Sequence, residues 1–483
     1  MTGHDRLLVG GEWVESSSGE VFPSTNPATG EVIAHLQQGN VADVDRAVAA
    51  ARVASGVLRA SGVEERAGWC EAVAEQIEAR VDDLAGALSA EQGKPVGAEA
   101  VGEVMTAAKG FRDAAGHVRH LDGTIPHATD PNKRVLSRRH PRGVYAVITP
   151  WNFPVNIPTE YLAPALATGN AVVWVPAPTT SHVAVLFAQA ITAAGVPAGF
   201  LNLVTGPGAV VGDAAVAHPG VDAIGFTGST ATGLSIARRA AGKPLLLELG
   251  GNGPTIVLDD ADLGKAAEAI AAGAFFNAGQ TCAATEVVLV ERSVHDELAR
   301  LVTQEAKKVR LGSPAAQDTT MGPLNNQPTA VKTENHIADA RNRGASVLEG
   351  GSRLPEHGSD LYFGATVLAE VDPEADIVSY ETFGPVVPLV PVDSAQEAIR
   401  IAQAPQFGLS ASVWSSSASR AFEVAENLRA GIVNINDSST WWEIHIPFGG
   451  GSGTQSGVGR LGGMHTLLEM TEIKTITFDV RSF

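Results

Sequence analysis

The sequence predicts an α/β fold, a doubly wound parallel sheet joined to a second α/β lobe, on three observations. Between residues 138 and 250, short β-branched runs alternate with longer stretches of helical periodicity, the one-dimensional signature of a parallel sheet wrapped by helices. A second alternating series runs from 255 to 436. The 483 residues accommodate about three domains or lobes at the usual domain size.

In the first series, strands are expected at 144–148, 171–176, 200–204, 223–227 and 245–249, separated by helices at 158–168, 181–194, 209–217 and 229–241. Such a sheet presents ligands at the carboxyl ends of its strands. In the second, 255–258, 287–290, 386–390 and 432–436 read as strands. A helix over 296–309 carries Leu298, Leu301 and Val302 on one face, and Ala421, Val424, Ala425 and Leu428 share the face of another. Ahead of both lobes lie a hairpin over 7–14, turning at Gly10 and Gly11, and Ala-rich helices from 41 to 116. The segment 473–480 alternates as a strand with one apolar face and no local partner, which invites pairing with another subunit. The Gly-rich stretch 449–463 reads as a loop.

Composition narrows the function classes. With 44% hydrophobic and 18% charged residues the chain is globular, and no apolar run approaches the ~18 residues of a membrane span. The net charge is −19, and no basic block exceeds 137–140, which argues against a nucleic-acid partner. The first ten residues lack the basic region and apolar run of a signal peptide. Cys70 and Cys282 are the only cysteines. They make no disulfide framework, so a reducing, cytoplasmic setting is expected.

Several residues could carry chemistry. Asn152 lies in Thr149-Pro150-Trp151-Asn152-Phe153-Pro154, directly after a strand; its amide could donate to an oxyanion or merely bond its own turn. Cys282 follows Gly279-Gln280-Thr281 in a small-residue loop, as an accessible nucleophile or a buried small hydrophobe. Cys70, inside a helical stretch, suits the second reading. Glu248 interrupts an apolar strand and precedes Gly250-Gly251, so it is either a general base raised by burial or a paired structural carboxylate. A phosphate could meet Gly206-Pro207-Gly208 with Gly212, or the turn from Phe226 through Gly228 and Ser229 to Gly233. His117 and His120 lack companions for a metal set, so no metal is expected. Trp441 and Trp442 could line a substrate mouth or simply pack.

Taken together, these segments resemble the NAD(P)-dependent aldehyde dehydrogenase superfamily nearly end to end. The resemblance rests on Val9 to Trp13, Asn26 to Gly30, Thr149 to Pro154, Phe226 to Ser229, Glu248 to Gly251, Gly279 to Cys282, Glu381-Thr382-Phe383-Gly384-Pro385 and Pro447-Phe448-Gly449-Gly450, in the family's order. It implies an aldehyde dehydrogenase-like fold with a Rossmann-type cofactor lobe, a catalytic α/β lobe and a small β oligomerisation extension. The expected boundaries are 1–118 and 140–250 for the cofactor domain, 251–436 for the catalytic domain, 119–139 and 464–483 for the extension, and 437–463 for an active-site loop region.

By the same resemblance Cys282 is the nucleophile, Asn152 and the Cys282 N–H form the oxyanion hole, and Glu248 activates water. Glu381 would hold the nicotinamide ribose, Phe383 would pack near the nicotinamide, and Gly228, Ser229 and Gly233 would receive the pyrophosphate. Thr149, Pro150, Trp151, Val175, Pro178, Gly208, Phe226, Thr227, Leu249 and Gly250 complete the implied cofactor cleft. Phe153, Ile157, Thr281, Trp442 and Phe448 would border the aldehyde tunnel, which suggests an apolar or aromatic substrate. No Arg in those segments would grip a carboxylate.

The sequence also departs from the family pattern. Its usual Lys-Pro-Ser-Glu run is Val175-Pro176-Ala177-Pro178, its Lys after Glu-Leu-Gly-Gly is Asn252, and the 447–457 loop has no Lys. No acid at 178 repels a 2′-phosphate and no Lys at 175 attracts one, so the cofactor is NAD, with mild preference, or NADP. The implied activity is oxidation of an aldehyde to its acid through a thiohemiacetal and thioester on Cys282, in a homodimer or homotetramer. The alternatives are a CoA-acylating semialdehyde dehydrogenase, whose members generally lack the Glu that Glu248 supplies, and a retired enzyme kept for binding.

Overall fold

A computed structural model describes residues 5–240 and 242–482. The first four residues of the expected cofactor domain, Ala241 at the expected end of helix 229–241, and Phe483 lie outside the described residues.

Two sheets organise the chain. The first has eight strands, in the order Gly457–Val458, Leu245–Glu248, Ala223–Thr227, Val144–Thr149, Ala171–Pro176, Leu201–Leu203, Leu7–Val9 and Glu12–Val14. Its inner strands are parallel, and the Leu7–Val9 and Gly457–Val458 pairings at its flanks are antiparallel. The central strands are buried almost throughout, which explains runs of Val, Ile and Ala instead of alternation: both faces are covered by helices. The second sheet has seven strands, in the order Ser346–Glu349, Thr366–Ala369, Val386–Val392, Val287–Glu291, Pro254–Val257, Ser410–Trp414 and Ile432–Ile435. All its pairings are parallel except at the Ser346–Glu349 edge. Each sheet has its own hydrophobic core, and a small third cluster gathers Ala283, Leu409 and Phe448 beside Cys282 and Trp442.

The expected hairpin turns at Gly10 and Gly11, both at positive φ. The helical region resolves into Val41–Ala60, Val63–Glu78, Val81–Gln92 and Val101–Val118, with a π-helical turn at Val96–Ala100 before the last. A second hairpin, Val21–Thr25 with Val32–Gln37, and the strands Ser346–Glu349, Thr366–Ala369 and Ser410–Trp414 were not expected from the sequence. The helix expected over 209–217 is divided into a π-helical turn, Gly208–Gly212, and a short helix, Asp213–Ala217.

One expectation is corrected. The C-terminal strand has a partner within the chain: Thr471–Asp479 pairs antiparallel with Lys133–Pro141 along its whole length. The partner Lys-Arg-Val-Leu-Ser-Arg-Arg-His-Pro is dominated by charge, and no apolar period marks it as a strand. The two-stranded arm exposes Ile473, Ile476, Phe478 and Leu136. Helix Gly463–Glu469, ahead of it, packs on helices Val101–Val118 and Asn156–Thr168 of the first lobe.

Asn170 fastens this arm to the first sheet. Fully buried, it accepts from Gly143 N at 2.9 Å and donates from Nδ2 to Thr168 Oγ1 at 2.8 Å and Met470 O at 3.0 Å. Asn170→Ala would strand these groups without water, at about 1–3 kcal/mol each. The expected outcome is a thermal midpoint several degrees lower by calorimetry; an unchanged midpoint would show that the contacts add nothing to stability.

Candidate active site

The loop that carries Cys282 is built under backbone constraint. Helix Leu263–Phe275 ends, and Asn277, Ala278 and Gly279 follow at φ 51°, 53° and 76°. Left-handed geometry costs a non-glycine residue roughly 1–2 kcal/mol, so the turn must be held from outside. Asn277 N donates to Glu99 Oε1 at 3.0 Å, Asn277 Nδ2 donates to Asn152 O at 3.0 Å, and Gln280 Nε2 donates to Asn277 O at 2.8 Å. Gly279 has no alternative: a Cβ there would lie 2.2 Å from Gly384 O. This turn delivers half-buried Cys282 towards the first lobe.

Asn152 meets it from the other side. The strand Val144–Thr149 ends, and the following loop, with prolines at 150 and 154, places Asn152 3% exposed. Its Nδ2 donates to Gln280 O at 3.0 Å, which leaves the second amide hydrogen for another acceptor. Its backbone carbonyl accepts from Lys94 Nζ at 3.0 Å. Lys94 is itself buried, 2.5 Å from Glu103 Oε2 and 3.9 Å from the centre of the Phe153 ring.

Glu248 ends strand Leu245–Glu248, 3% exposed, and neither carboxylate oxygen has a hydrogen-bond partner among the described residues. Burial, reinforced by the Glu160 carboxylate, holds it well above the usual carboxylate range, and Arg460 draws it partly back. Gly449, at φ 151°, covers it: a Cβ there would lie 2.7 Å from Glu248 Oε1. Burial also pushes the Cys282 thiol far up, helped by Glu248, Glu381 and Glu160.

Cys282 and Glu248 line one cavity of 690 Å³. Every residue assigned to the aldehyde tunnel borders it: Phe153, Ile157, Thr281, Trp442 and Phe448. Phe153 lies 5.8 Å from Phe276 and Trp442 lies 5.3 Å from Phe448, centre to centre, giving aromatic walls. Trp442 Nε1 is satisfied by Ile446 O at 2.8 Å, whereas Trp441 is exposed.

The cofactor-side residues are placed unevenly. Ser229 caps helix Thr230–Arg239, accepting from Thr232 N; both it and Gly208 are exposed, and Gly228 is half-buried. Helix N–H groups there suit a pyrophosphate. Glu381 Oε1 accepts from Gly251 N at 3.2 Å, and the missing Cβ of Gly250 lets the carboxylate approach, an acceptor suited to ribose hydroxyls. Trp151, next to Pro150, meets Phe383 edge-on at 5.6 Å. Thr149 Oγ1 is occupied by Trp174 Nε1 at 2.9 Å. Thr227 faces the aldehyde cavity and pairs with Tyr161 Oη at 2.8 Å. Pro178 is exposed, whereas the Val175 and Phe226 side chains are buried in the first core and give the cleft nothing polar. Gly233 serves packing, since a Cβ there would lie 2.2 Å from the Leu249 side chain.

Other cavity and supporting residues were missed from the sequence: Glu99, Asn156, Glu160, Phe276, Lys94, Asn277 and Glu286. Glu286 accepts from Thr382 N at 2.6 Å and Phe383 N at 2.8 Å, fixing the loop that carries Glu381. A signal existed for Glu160. It is the only charged residue in helix Asn156–Thr168, which is buried along nearly all of its length, much as Glu248 stands out in its strand.

The model of the aldehyde dehydrogenase family matches residues 13–476. The chain is 38% identical over 448 residues to an α-ketoglutaric semialdehyde dehydrogenase of Bacillus subtilis (strain 168), covering 92% of each. It superposes on the crystal structure of an E. coli NADP-dependent enzyme with TM-score 0.95 and 37% identity, covering 99% of this chain and 98% of that one. A betaine aldehyde dehydrogenase from Staphylococcus aureus in complex with NAD+ matches with TM-score 0.95 and 34% identity, over 99% and 95% of the two chains. The chain therefore belongs to the aldehyde dehydrogenase family and is an oxidoreductase that converts aldehydes to acids with NAD(P).

Proposed function

We propose that Cys282, Glu248 and Asn152 carry the reaction, because Cys282 and Glu248 line one cavity and the Asn152 amide is held against Gln280 O, two residues before Cys282. Cys282, once its proton has passed to bulk water, bonds through Sγ to the aldehyde carbon. The developing oxyanion takes hydrogen bonds from the free Asn152 amide hydrogen and the Cys282 N–H, each worth about 10²–10³ in rate when preorganised. When bound, NAD(P)+ would supply the hydride acceptor for oxidation of the Cys282 adduct to the thioester, held by Gly228 and Ser229 at the helix N-terminus and by Glu381. Glu248 then removes a proton from water, which attacks the thioester; the acid leaves and the sulfur is returned. A carboxylate raised by burial is the stronger base towards water once ionised.

The presence of Glu248 supports hydrolysis over transfer to CoA, and the survival of all three groups speaks against a retired enzyme. Aromatic walls at Phe153, Phe276, Trp442 and Phe448 support an aldehyde with an apolar or aromatic body. For the cofactor we favour NAD mildly over NADP, since Val175 and Pro178 offer neither a cation nor an acid to the adenosine end. The paired arm, with Ile473, Ile476 and Phe478 exposed, supports assembly as a homodimer or homotetramer. No helix among the described residues is long and apolar enough to cross a membrane, and the two free cysteines favour the cytoplasm.

Reduced-nicotinamide formation without CoA, over hexanal, benzaldehyde and a carboxylated aldehyde with each cofactor, tests the reading. Turnover of the apolar aldehydes is expected, and faster use of the carboxylated one would remove the apolar assignment. Cys282→Ala is expected to abolish turnover yet bind cofactor, and Cys70→Ala to stay near wild type; steady turnover by the first would strip Cys282 of its role. In rapid-mixing experiments Glu248→Gln should release a burst of reduced cofactor and stall at the thioester. No burst would move Glu248 to thiol activation instead.

A further inference from the structure

The charged groups lining the aldehyde cavity are Glu99, Glu103, Glu160, Glu248, Glu443 and Lys109. Three have evident partners or positions. Glu103 is neutralised by Lys94 and accepts from Val155 N at 2.9 Å and Asn156 N at 3.1 Å. Lys109 is held by Asp113 at 2.7 Å. Glu443 is exposed, 3.3 Å from His445. Glu248 serves the chemistry and Glu99 holds Asn277 N through one oxygen, which leaves Glu160 and the second Glu99 oxygen without a task.

Neither residue is a satisfied structural carboxylate. Glu160, 9% exposed, accepts from Asn156 Nδ2 at 2.9 Å through one oxygen and has no ion-pair partner among the described residues. Glu99, 7% exposed, accepts from Asn277 N at 3.0 Å through Oε1, but Oε2 is buried with no hydrogen-bond partner among the described residues. It is set in the π-helical turn Val96–Ala100, an irregularity that recurs at functional sites. Burial raises Glu160 to about 8 and Glu99 to about 7, with Lys94 drawing Glu99 back. An apolar side chain would avoid that desolvation cost, so the single backbone contact of Glu99 and the single Asn156 contact of Glu160 do not by themselves account for the pair.

We propose that Glu160 and Glu99 form a subsite for the cationic end of an ω-amino aldehyde, with the carbon chain lying between the aromatic walls and the aldehyde reaching Cys282. An ammonium donates to the open Glu99 oxygen and to Glu160, and is attracted by the faces of the surrounding rings. An aldehyde with a carboxylate tail would meet uncompensated carboxyls and no unpaired cation. The proposal rests on the aldehyde-oxidising reading above and adds the substrate class.

The test compares ω-amino aldehydes of increasing length with n-alkanals and ω-carboxy aldehydes of matched length, using wild type, Glu160→Gln and Glu99→Gln. One charge-assisted hydrogen bond is worth about 10-fold or more in binding, so the best amino aldehyde should exceed its alkanal in kcat/KM by about that factor, through KM. In Glu160→Gln the amino-aldehyde loss should exceed the alkanal loss by about 10-fold, and n-butylammonium should lose competitive inhibition against hexanal in the same variant. The wild-type comparison decides the matter even where a variant fails to fold. Equal use of amino aldehydes and alkanals, a preference for carboxy aldehydes, or equal losses for all tails in Glu160→Gln would overturn the subsite while leaving aldehyde oxidation intact. No turnover of any aldehyde would instead overturn the reading on which it rests.

Discussion

The Lys94 ammonium, buried between the Glu103 carboxylate and the backbone carbonyl of Asn152 and lying over the Phe153 ring, joins the chemistry of the two lobes. Asn152 belongs to the loop that leaves the first sheet. The carbonyl that Lys94 holds also accepts from Asn277, and the Asn152 amide donates to Gln280 O. Both partners precede Cys282 in the second lobe, so the oxyanion donor and the nucleophile are placed by one polar knot. Cutting a buried ion pair on one side costs about 3–5 kcal/mol, and here it would also release the left-handed run Asn277-Ala278-Gly279. The strain in that turn persists because Glu99, Asn152 and Gln280 over-determine it.

Glu248 is held by the opposite device, an absence of partners. Buried carboxylates in folded proteins are nearly always hydrogen-bonded, and an orphan is expensive unless its lone pairs are needed for a proton. The glycines explain how such a group is covered without being satisfied. Gly449 brings bare backbone over Oε1, and a Cβ at Gly251 would lie 2.5 Å from Cys282 O. The loop without Lys is not without a cation: Arg460 Nη1 binds Gly450 O at 2.7 Å and Gly459 O at 2.9 Å and draws the Glu248 carboxyl down.

The sequence made the parallel strands legible because burial on both faces writes itself as uninterrupted Val, Ile and Ala. It likewise exposed Glu248 and Asn152, polar residues placed where an apolar strand ends. What it hid follows from the same physics. Lys133–Pro141 is a strand with no core face, so no period marks it, and its pairing with Thr471–Asp479 spans more than 300 positions that no local pattern can report. Lys94 and Glu103 pair within the first lobe beside the Asn152 carbonyl, and Asn277 reaches that carbonyl from the second lobe, contacts that no local pattern reports. Val175 was assigned to the cofactor by position, whereas its side chain is core. Glu160, by contrast, is legible: a single charge inside a helix buried along nearly its whole length needs a reason.

The low polarity of the cavity makes the resting site electrically quiet. The Cys282 thiol and the Glu248, Glu160 and Glu99 carboxyls are all pushed towards their protonated forms by burial, and Glu248 and Glu160 push further on their neighbours. Each charge created there raises the cost of the next, so ionisation waits for compensating positive charge. Arg460 and Lys94 provide some, but both are committed to backbone or carboxylate partners. Positive charge that arrives with the reactants therefore acts directly on the nucleophile and the base. A cavity built this way discriminates by charge before it discriminates by shape, because in a medium of low dielectric a carboxylate at substrate distance weighs more than a methylene of fit.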